Sequence, residues 1–208
     1  MASDPSPVTD GIRPAATVVL WRDGRGGPEV LMGQRGAGAV FMPSKFVFPG
    51  GGVDPQDNTT DGSGFLTPLC RQRLTRLVPE GAPGPETLVA TARRELTEET
   101  GLSLPRADDP ALLFMFRAIT PPWKGRRFDA RFFMARANDD AAHEDFSAGS
   151  GELQHLRWLN LPEARLLDLP FITEVVLAEV GALLSGTPQP GVPFFDNSTD
   201  TPAFRRIV

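Results

Sequence analysis

Residues 85–101 read PETLVATARRELTEETG, and residues 86–100 within this stretch form the clearest predicted helix of the chain. Pro85 suits the first helical turn, Glu86 favours the positive end of the helix dipole, and Gly101 is a natural stop. The apolar positions recur at spacings of three and four, at Val89, Ala92 and Leu96. We therefore expect one face of this helix to pack against a sheet.

Three carboxylates crowd the second half of the same helix. Glu95 lies three residues before Glu98 and four before Glu99, so the side chains share a face, with Cβ atoms roughly 5–6 Å apart. Like charges at that spacing repel, and a hard divalent cation such as Mg²⁺ relieves the repulsion because it prefers oxygen ligands. Arg94 is placed to hold one of these carboxylates in a fixed direction. Taken alone, the run also suits a solvated acidic face.

The sequence before this helix predicts a β-hairpin. Residues 15–21 are apolar and β-branched, as in a strand buried on both faces, and a Gly-rich turn separates them from a second strand over residues 30–35. A brief strand over residues 45–48 is expected to stop at Pro49 and the three glycines that follow it.

The rest of the chain adds strands and a second long helix. Strands are predicted over residues 112–119, 128–137 and 155–159, and an amphipathic helix over residues 171–184. This pattern favours an α/β fold in which helices sandwich a mixed β-sheet. Residues 57–85, rich in Gly, Pro, Asn, Asp and Thr, read as an insertion with one short helix within residues 68–78. We expect a single domain over residues 1–208, with an extended or disordered start over residues 1–12.

Composition narrows the classes of partner and compartment. The net charge of −5 argues against a nucleic-acid binder, which usually carries a basic face. Cys70 is the single cysteine, so no intrachain disulfide forms. The sequence does not begin with the basic segment and apolar stretch of a signal peptide. No apolar run reaches the roughly 20 residues of a membrane helix. These features predict a cytoplasmic protein without a membrane partner.

Two segments together resemble the Nudix box, Gly-x5-Glu-x7-Arg-Glu-U-x-Glu-Glu-x-Gly-U, where U is aliphatic. Residues 94–102 (RELTEETGL) match its second half at every defined position, and residues 48–54 (FPGGGVD) are similar to its first half. Glu86 stands eight residues before Arg94, but it lies 86 − 51 = 35 residues after Gly51 instead of six. Asp57 stands at the expected distance from Gly51, so either residue is a candidate for the first glutamate of the box.

An upstream pattern is similar to that of Nudix enzymes that cleave coenzyme A. Residues 31–35 (LMGQR) stand at the family's distance from the Phe-Pro-Gly-Gly run, although Gly36, Val40 and Ser44 replace three defined residues of the pattern. An insertion inside the box also resembles the peroxisomal-type coenzyme A diphosphatases. The resemblance thus implies coenzyme A or an acyl-coenzyme A as substrate, with ADP-ribose or a dinucleotide as the alternative.

The resemblance also implies an α/β/α sandwich and roles for particular residues. Glu95, Glu98 and Glu99, with the backbone of Gly51, would hold Mg²⁺ or Mn²⁺ for hydrolysis of a diphosphate linkage. Glu98 and Glu152 are the two candidates for the general base, and Arg94 supports the catalytic carboxylates. The expected contacts to substrate come from residues of the glycine-rich loop and from two arginines, namely Phe48, Gly50, Gly51, Arg35 and Arg127.

Other readings stay open at this stage. A non-catalytic ligand-sensing domain would share the fold but typically lacks the box glutamates, which are present here. A house-cleaning enzyme for damaged nucleoside triphosphates is a third reading. The expected partner is a small nucleotide conjugate, and analogy with the family makes a homodimer a candidate assembly.

Overall fold

A computed structural model describes residues 11–59, 63–104, 111–137 and 145–208. The predicted start over residues 1–12 lies outside the described residues except for its last two positions. The predicted insertion over residues 57–85 is described apart from residues 60–62.

The described residues build one mixed β-sheet. Its strands are β1 (Arg13–Gly24), β2 (Gly27–Arg35), β3 (Phe46–Val47), β4 (Gly50–Gly52), β5 (Leu113–Ile119), β6 (Phe128–Arg136), β7 (Leu153–Asn160), β8 (Val192–Asp196) and β9 (Ala203–Ile207). Their order is β3-β2-β1-β6-β5-β8-β9, with β4 paired to β1 and β7 paired to β2. The pairs β1–β6 and β5–β8 are parallel, whereas the other pairs are antiparallel.

Strand β1 lies at the centre of the sheet, and both of its faces are covered. Val18 and Leu20 pack into the cluster that contains the residues of the long acidic helix, and Val19 packs into the cluster on the opposite face. Trp21 pairs with Val30 across a tight turn, which confirms the predicted hairpin. The apolar, β-branched character of this stretch is therefore explained by burial on both sides.

Helices cover the two faces of the sheet. They are α1 (Pro68–Leu74), α2 (Pro85–Thr100), α3 (Leu161–Ala164) and α4 (Phe171–Leu184), with 3₁₀ turns at Pro55–Thr59 and Ser63–Phe65. Helix α2 ends at Gly101, whose φ of 74° lies in the left-handed region that glycine adopts without strain. Helices α2 and α4 contribute to opposite core clusters, which confirms the predicted sandwich. In the described part of the chain, no helix has the length and apolar character to cross a bilayer.

Four local features differ from the sequence-based expectation. Helix α1 stops at Leu74 and not near residue 78, because the chain turns and Leu77 takes a φ of 54° that no helix continues. The predicted strand over residues 45–48 does end before Pro49, as β3, but residues 50–52 then form β4, since their backbone pairs with Ala15, Ala16 and Thr17 of β1. Helix α3 and the C-terminal hairpin β8–β9 have no counterpart in the prediction. Their sequences are too short or too polar to show a clear period.

Candidate active site

The glycine-rich strand β4 lies directly beside the second half of α2. The backbone N–H of Gly50 donates a hydrogen bond of 2.8 Å to the Glu99 carboxylate, whose residue is only 2% exposed. A Cβ atom at Gly51 would overlap the Glu95 carboxylate, so this carboxylate fits against the loop only because residue 51 is glycine. The two halves of the split box are therefore brought together in space.

Arg94 fastens this face of the helix to the preceding loop. Its Nη1 donates to Glu95 at 2.8 Å and to Glu98 at 3.0 Å. Its Nη2 donates to the carbonyl oxygen of Gly52 at 3.0 Å. The remaining bonds of the guanidinium go to Asp57, at 2.9 Å from Nε and 3.1 Å from Nη2. One arginine thus fixes the directions of three carboxylates, as a planar fork of donors allows.

Asp57, and not Glu86, faces Arg94. The Asp57 carboxylate is buried and also accepts bonds from the Thr91 hydroxyl at 2.7 Å and the Asp54 N–H at 2.8 Å. Glu86 instead forms an ion pair with Arg71 of the inserted helix α1, at a half-exposed position. The insertion therefore follows the residue that closes the loop onto the helix, and the distance of six residues from Gly51 to Asp57 is preserved.

Burial and crowding perturb the carboxylates of the site. Burial raises the pKa of Glu99 to about 8; the negative charges of Glu95 and Glu152 add to this rise, and the Gly50 N–H and Arg35 oppose it. Burial also raises the pKa of Glu95, against the nearby charge of Arg94. The side chain of Glu98 is 52% exposed and faces solvent. The site therefore concentrates negative charge that the neighbouring cations compensate only in part.

The loop before β7 brings a fourth carboxylate to this region. The Ser150 N–H donates to the carbonyl oxygen of Glu98 at 2.6 Å, which ties the loop to the end of α2. A Cβ atom at Gly149 would collide with the carbonyl oxygen of Glu99, so the loop packs closely against the helix. Glu152, three residues after Gly149, is exposed and near enough for its charge to act on Glu95 and Glu99.

The donor set fits a hard divalent cation. Carboxylate oxygens are the ligands that Mg²⁺ and Mn²⁺ prefer, and the missing Cβ at Gly51 leaves a place where the backbone approaches Glu95. Within the described ranges, no three acidic, His or Cys side chains already converge on one point as a finished ligand set. Two of the carboxylates are turned toward Arg94, so an ion would compete with this arginine for them.

Three of the residues expected to contact substrate lie in different surroundings. Arg35 lies close enough to lower the pKa of Glu99, and its buried Nε has no hydrogen-bond partner among the described residues. Phe48 is only 4% exposed and packs in the core cluster on the α4 side. Two nitrogens of Arg127 donate to the carbonyl oxygens of Thr120 and Asn197, so this arginine joins β5–β6 to the C-terminal hairpin. Of the two arginines, Arg35 is the one whose charge acts on a carboxylate of the site.

Comparison with known proteins points to one family. The family model of the NUDIX domain matches residues 69–180, which is more than half of the chain. The structure of a NUDIX hydrolase from Alicyclobacillus acidocaldarius is similar at a TM-score of 0.61 and 27% identity, covering 86% of this chain and 93% of that chain.

Two further structures share the fold. The Ap4A hydrolase of C. elegans, in a binary complex, aligns at a TM-score of 0.52 and 20% identity, covering 84% of this chain and 99% of that one. The NUDIX domain of Shewanella oneidensis NrtR, complexed with ADP ribose, aligns at 0.53 and 15% identity, covering 88% and 94%. From the family match, the rejoined box and the shared fold, we conclude that this chain belongs to the Nudix family and is a Nudix hydrolase.

Proposed function

We propose that the protein is a Mg²⁺- or Mn²⁺-dependent hydrolase that cleaves the diphosphate linkage of a nucleoside diphosphate conjugate, with coenzyme A or an acyl-coenzyme A as the favoured substrate. The observation that carries the proposal is the contact of Glu95 and Glu99 with the backbone of Gly50 and Gly51. This contact places acidic oxygens beside a loop whose backbone a phosphate can approach closely.

Glu95, Glu98 and Glu99, with the backbone of Gly51, are the residues that would hold the cation. When bound, the divalent ion supplies positive charge for the phosphate oxygens and lowers the pKa of a coordinated water. Arg94 keeps the Glu95 and Glu98 carboxylates directed along the loop side of α2. The Gly50 N–H keeps Glu99 directed toward β4.

Two residues compete for the role of general base. Glu98 is half-exposed and is oriented by Arg94, and Glu152 projects from the loop that is tied to the end of α2. A base accepts a proton from the attacking water only within hydrogen-bond reach of it. Because Glu98 is also a proposed ligand, Glu152 is the residue that remains free to accept the proton.

The backbone of the loop after β2 supports the coenzyme A assignment. The pattern of coenzyme A-cleaving enzymes has glycine where this chain has Ser44, and Ser44 adopts a φ of 60°, a conformation that favours glycine. A glycine at this position would adopt the same φ without strain. Arg35, the arginine that the chain shares with this pattern, interacts electrostatically with Glu99.

ADP-ribose or a dinucleotide is the alternative substrate class. Val40 stands where the coenzyme A pattern has a second arginine, and its side chain is 76% exposed, so one expected cation is missing. Structures that share this fold include an Ap4A hydrolase and a domain bound to ADP ribose. Because of these similarities, ADP-ribose and dinucleotides are tested in the same panel of substrates.

The test is a panel of substrates with product identification by mass. Purified protein is incubated with Mg²⁺ or Mn²⁺ and with coenzyme A, acetyl-coenzyme A, ADP-ribose, NADH, diadenosine polyphosphates or nucleoside triphosphates. Release of 4′-phosphopantetheine and 3′,5′-ADP supports the proposal. AMP from ADP-ribose or NADH moves the protein to the alternative class, and metal-dependent cleavage of no substrate in the panel contradicts a catalytic function.

A further inference from the structure

A cavity lies under the insertion, near the start of α2. It has a volume of about 520 Å³, and its roof is formed by Leu77 and residues 79–83, which directly precede the helix. Its floor comes from the first residues of β1 and β6 and from the end of β5. The roof joins α2 at Pro85, ten residues before Glu95, and ten residues of helix span roughly 15 Å. The residues that line the cavity include none of the carboxylates or glycines of the active site.

Two arginines on the floor of this cavity are almost completely buried. The residue Arg117 is 2% exposed and Arg131 is 1% exposed. Both pair with one carboxylate, because Arg117 donates to Asp129 through Nε and Nη2 at 2.8 Å each, and Arg131 Nη1 lies 2.9 Å from the same carboxylate. Two buried cations thus share one anion, and this group carries an excess positive charge.

One donor atom of this positively charged group makes no hydrogen bond. Arg131 Nη2 is buried and has no hydrogen-bond partner among the described residues. Arg117 is fully engaged, since its Nη1 donates to the carbonyl oxygen of Leu77 at 2.7 Å and thereby holds the roof of the cavity. A buried charged donor without an acceptor costs free energy, and an acceptor anion in the cavity would remove that cost. Burial lowers the pKa of Arg131 to about 10; the charge of Asp129 opposes this shift, and the charge of Arg117 adds to it.

The other acidic groups around the cavity do not supply this acceptor. Asp196 pairs with Arg205 at 3.0 Å and accepts a bond from the Ser198 N–H, also at 3.0 Å. Glu80 is an exposed residue of the roof. The remaining walls are largely apolar, with Ile12, Pro14, Ile119 and Phe194. A compact ligand with one anionic group and an apolar part matches this lining.

We propose that the cavity between the insertion and the sheet is a binding site for a small oxyanion, a phosphate or a carboxylate on a compact organic molecule, and that Arg131 is its anchoring residue. The ligand contacts residues of the insertion as well as residues of the sheet, so binding stabilises the roof against β1, β5 and β6. Nothing in this proposal depends on the chemistry at Glu95 and Glu99, since neither residue lines the cavity.

The experiment measures thermal stability of the full chain, freed of metal by dialysis, with inorganic phosphate or acetate as probes. We expect millimolar phosphate, acetate or both to raise the Tm by about 2 °C or more. The comparison of the two probes separates a phosphate ligand from a carboxylate ligand. In Arg131→Lys, which keeps the charge but loses the fork of donors, the probe concentration that gives half of the full Tm rise should increase at least tenfold.

The matched control is Arg136→Lys, because Arg136 lies on the same strand but is exposed and pairs with Asp23 at the surface. This control should bind the probes as the wild type does. No rise in Tm with either probe, or an equal response in Arg131→Lys and the wild type, overturns the proposal. If Arg131→Lys fails to fold, crystals of the wild-type protein soaked in tungstate test the proposal instead. An anomalous peak within hydrogen-bond distance of Arg131 Nη2 supports the site, and a cavity without that peak overturns it.

Discussion

Asp57 and Arg94, 37 residues apart in the sequence, form a two-pronged ion pair with Nε–Oδ1 and Nη2–Oδ2 distances of 2.9 Å and 3.1 Å. This pair spans the whole insertion and joins the loop half of the Nudix box to its helical half. Since Arg94 also orients Glu95 and Glu98, the pair determines where the carboxylates of the site point.

Asp57→Asn should therefore destabilise the protein and impair hydrolysis together. Removing one partner of a buried ion pair costs about 3 kcal/mol, because the remaining charge loses its compensation. We expect a loss of that size in urea unfolding and a reduced kcat. The control is Glu86→Gln, which breaks a half-exposed pair with Arg71 and should change the unfolding free energy by about 1 kcal/mol or less. Equal effects of the two substitutions would contradict the assignment of the first box position to Asp57.

The same pair predicts a dependence of stability on pH. Burial alone would raise the pKa of Asp57, but the hydrogen bonds from Arg94, Asp54 and Thr91 outweigh it, so the pKa lies below the ordinary value of 3.8. A depressed carboxyl pKa means that the unfolded chain binds the proton first, so the stabilisation is complete above pH 3.8 and is lost as the pH falls through the lower folded value. In acid, the difference in unfolding free energy between wild type and Asp57→Asn should narrow. A constant difference from pH 7 to the acid transition would contradict this assignment.

The two long helices of this fold could be predicted from the sequence, whereas the contacts between distant segments could not. Helix α4 was predicted with the bounds it has, and α2 lacked only Pro85 when counted from Glu86, since both carry a clear apolar face. Strand β4 was missed because three glycines lack strand propensity, and its pairing with β1 is decided by tertiary contact. The residue at the first glutamate position of the box stayed open because residue spacing alone allowed both Glu86 and Asp57. Only the folded chain shows that α1 holds one of them and Arg94 the other.

Glu99→Gln should separate stability from function. The wild-type carboxylate is buried beside Glu95, a situation that disfavours its charged form, and glutamine keeps the shape without the charge. We expect the metal-free variant to be as stable as the metal-free wild type or more stable, with loss of turnover. Addition of Mg²⁺ should raise the Tm of the wild type and leave that of the variant unchanged. A variant that still gains stability from Mg²⁺ would exclude Glu99 as a ligand.

Gly51→Ala tests the close approach of the loop to the helix. A methyl group at residue 51 would overlap the Glu95 carboxylate and push it away from the loop, whereas a methyl group at Gly52 would meet only the Pro14 carbonyl oxygen at 3.9 Å. Gly52→Ala is thus a control on the same strand with the same change in side chain. We expect kcat to fall at least tenfold in Gly51→Ala and to stay near the wild-type value in Gly52→Ala. Similar rates for the two variants would show that the loop tolerates a side chain at residue 51.

Glu152→Gln and Glu98→Gln distinguish the two candidate bases. If Glu152 accepts the proton from water, its substitution should lower kcat by about 10²–10⁴-fold with little change in KM, and it should remove the acid limb of the pH–rate profile. Mg²⁺ should still stabilise this variant, because its ligands are intact. Glu98→Gln should lose turnover and part of the Mg²⁺ effect on Tm, since Glu98 is also a proposed ligand. Glu163→Gln, at an exposed residue of α3, controls for the loss of one surface charge. Full activity of Glu152→Gln with an intact acid limb would assign the base to Glu98.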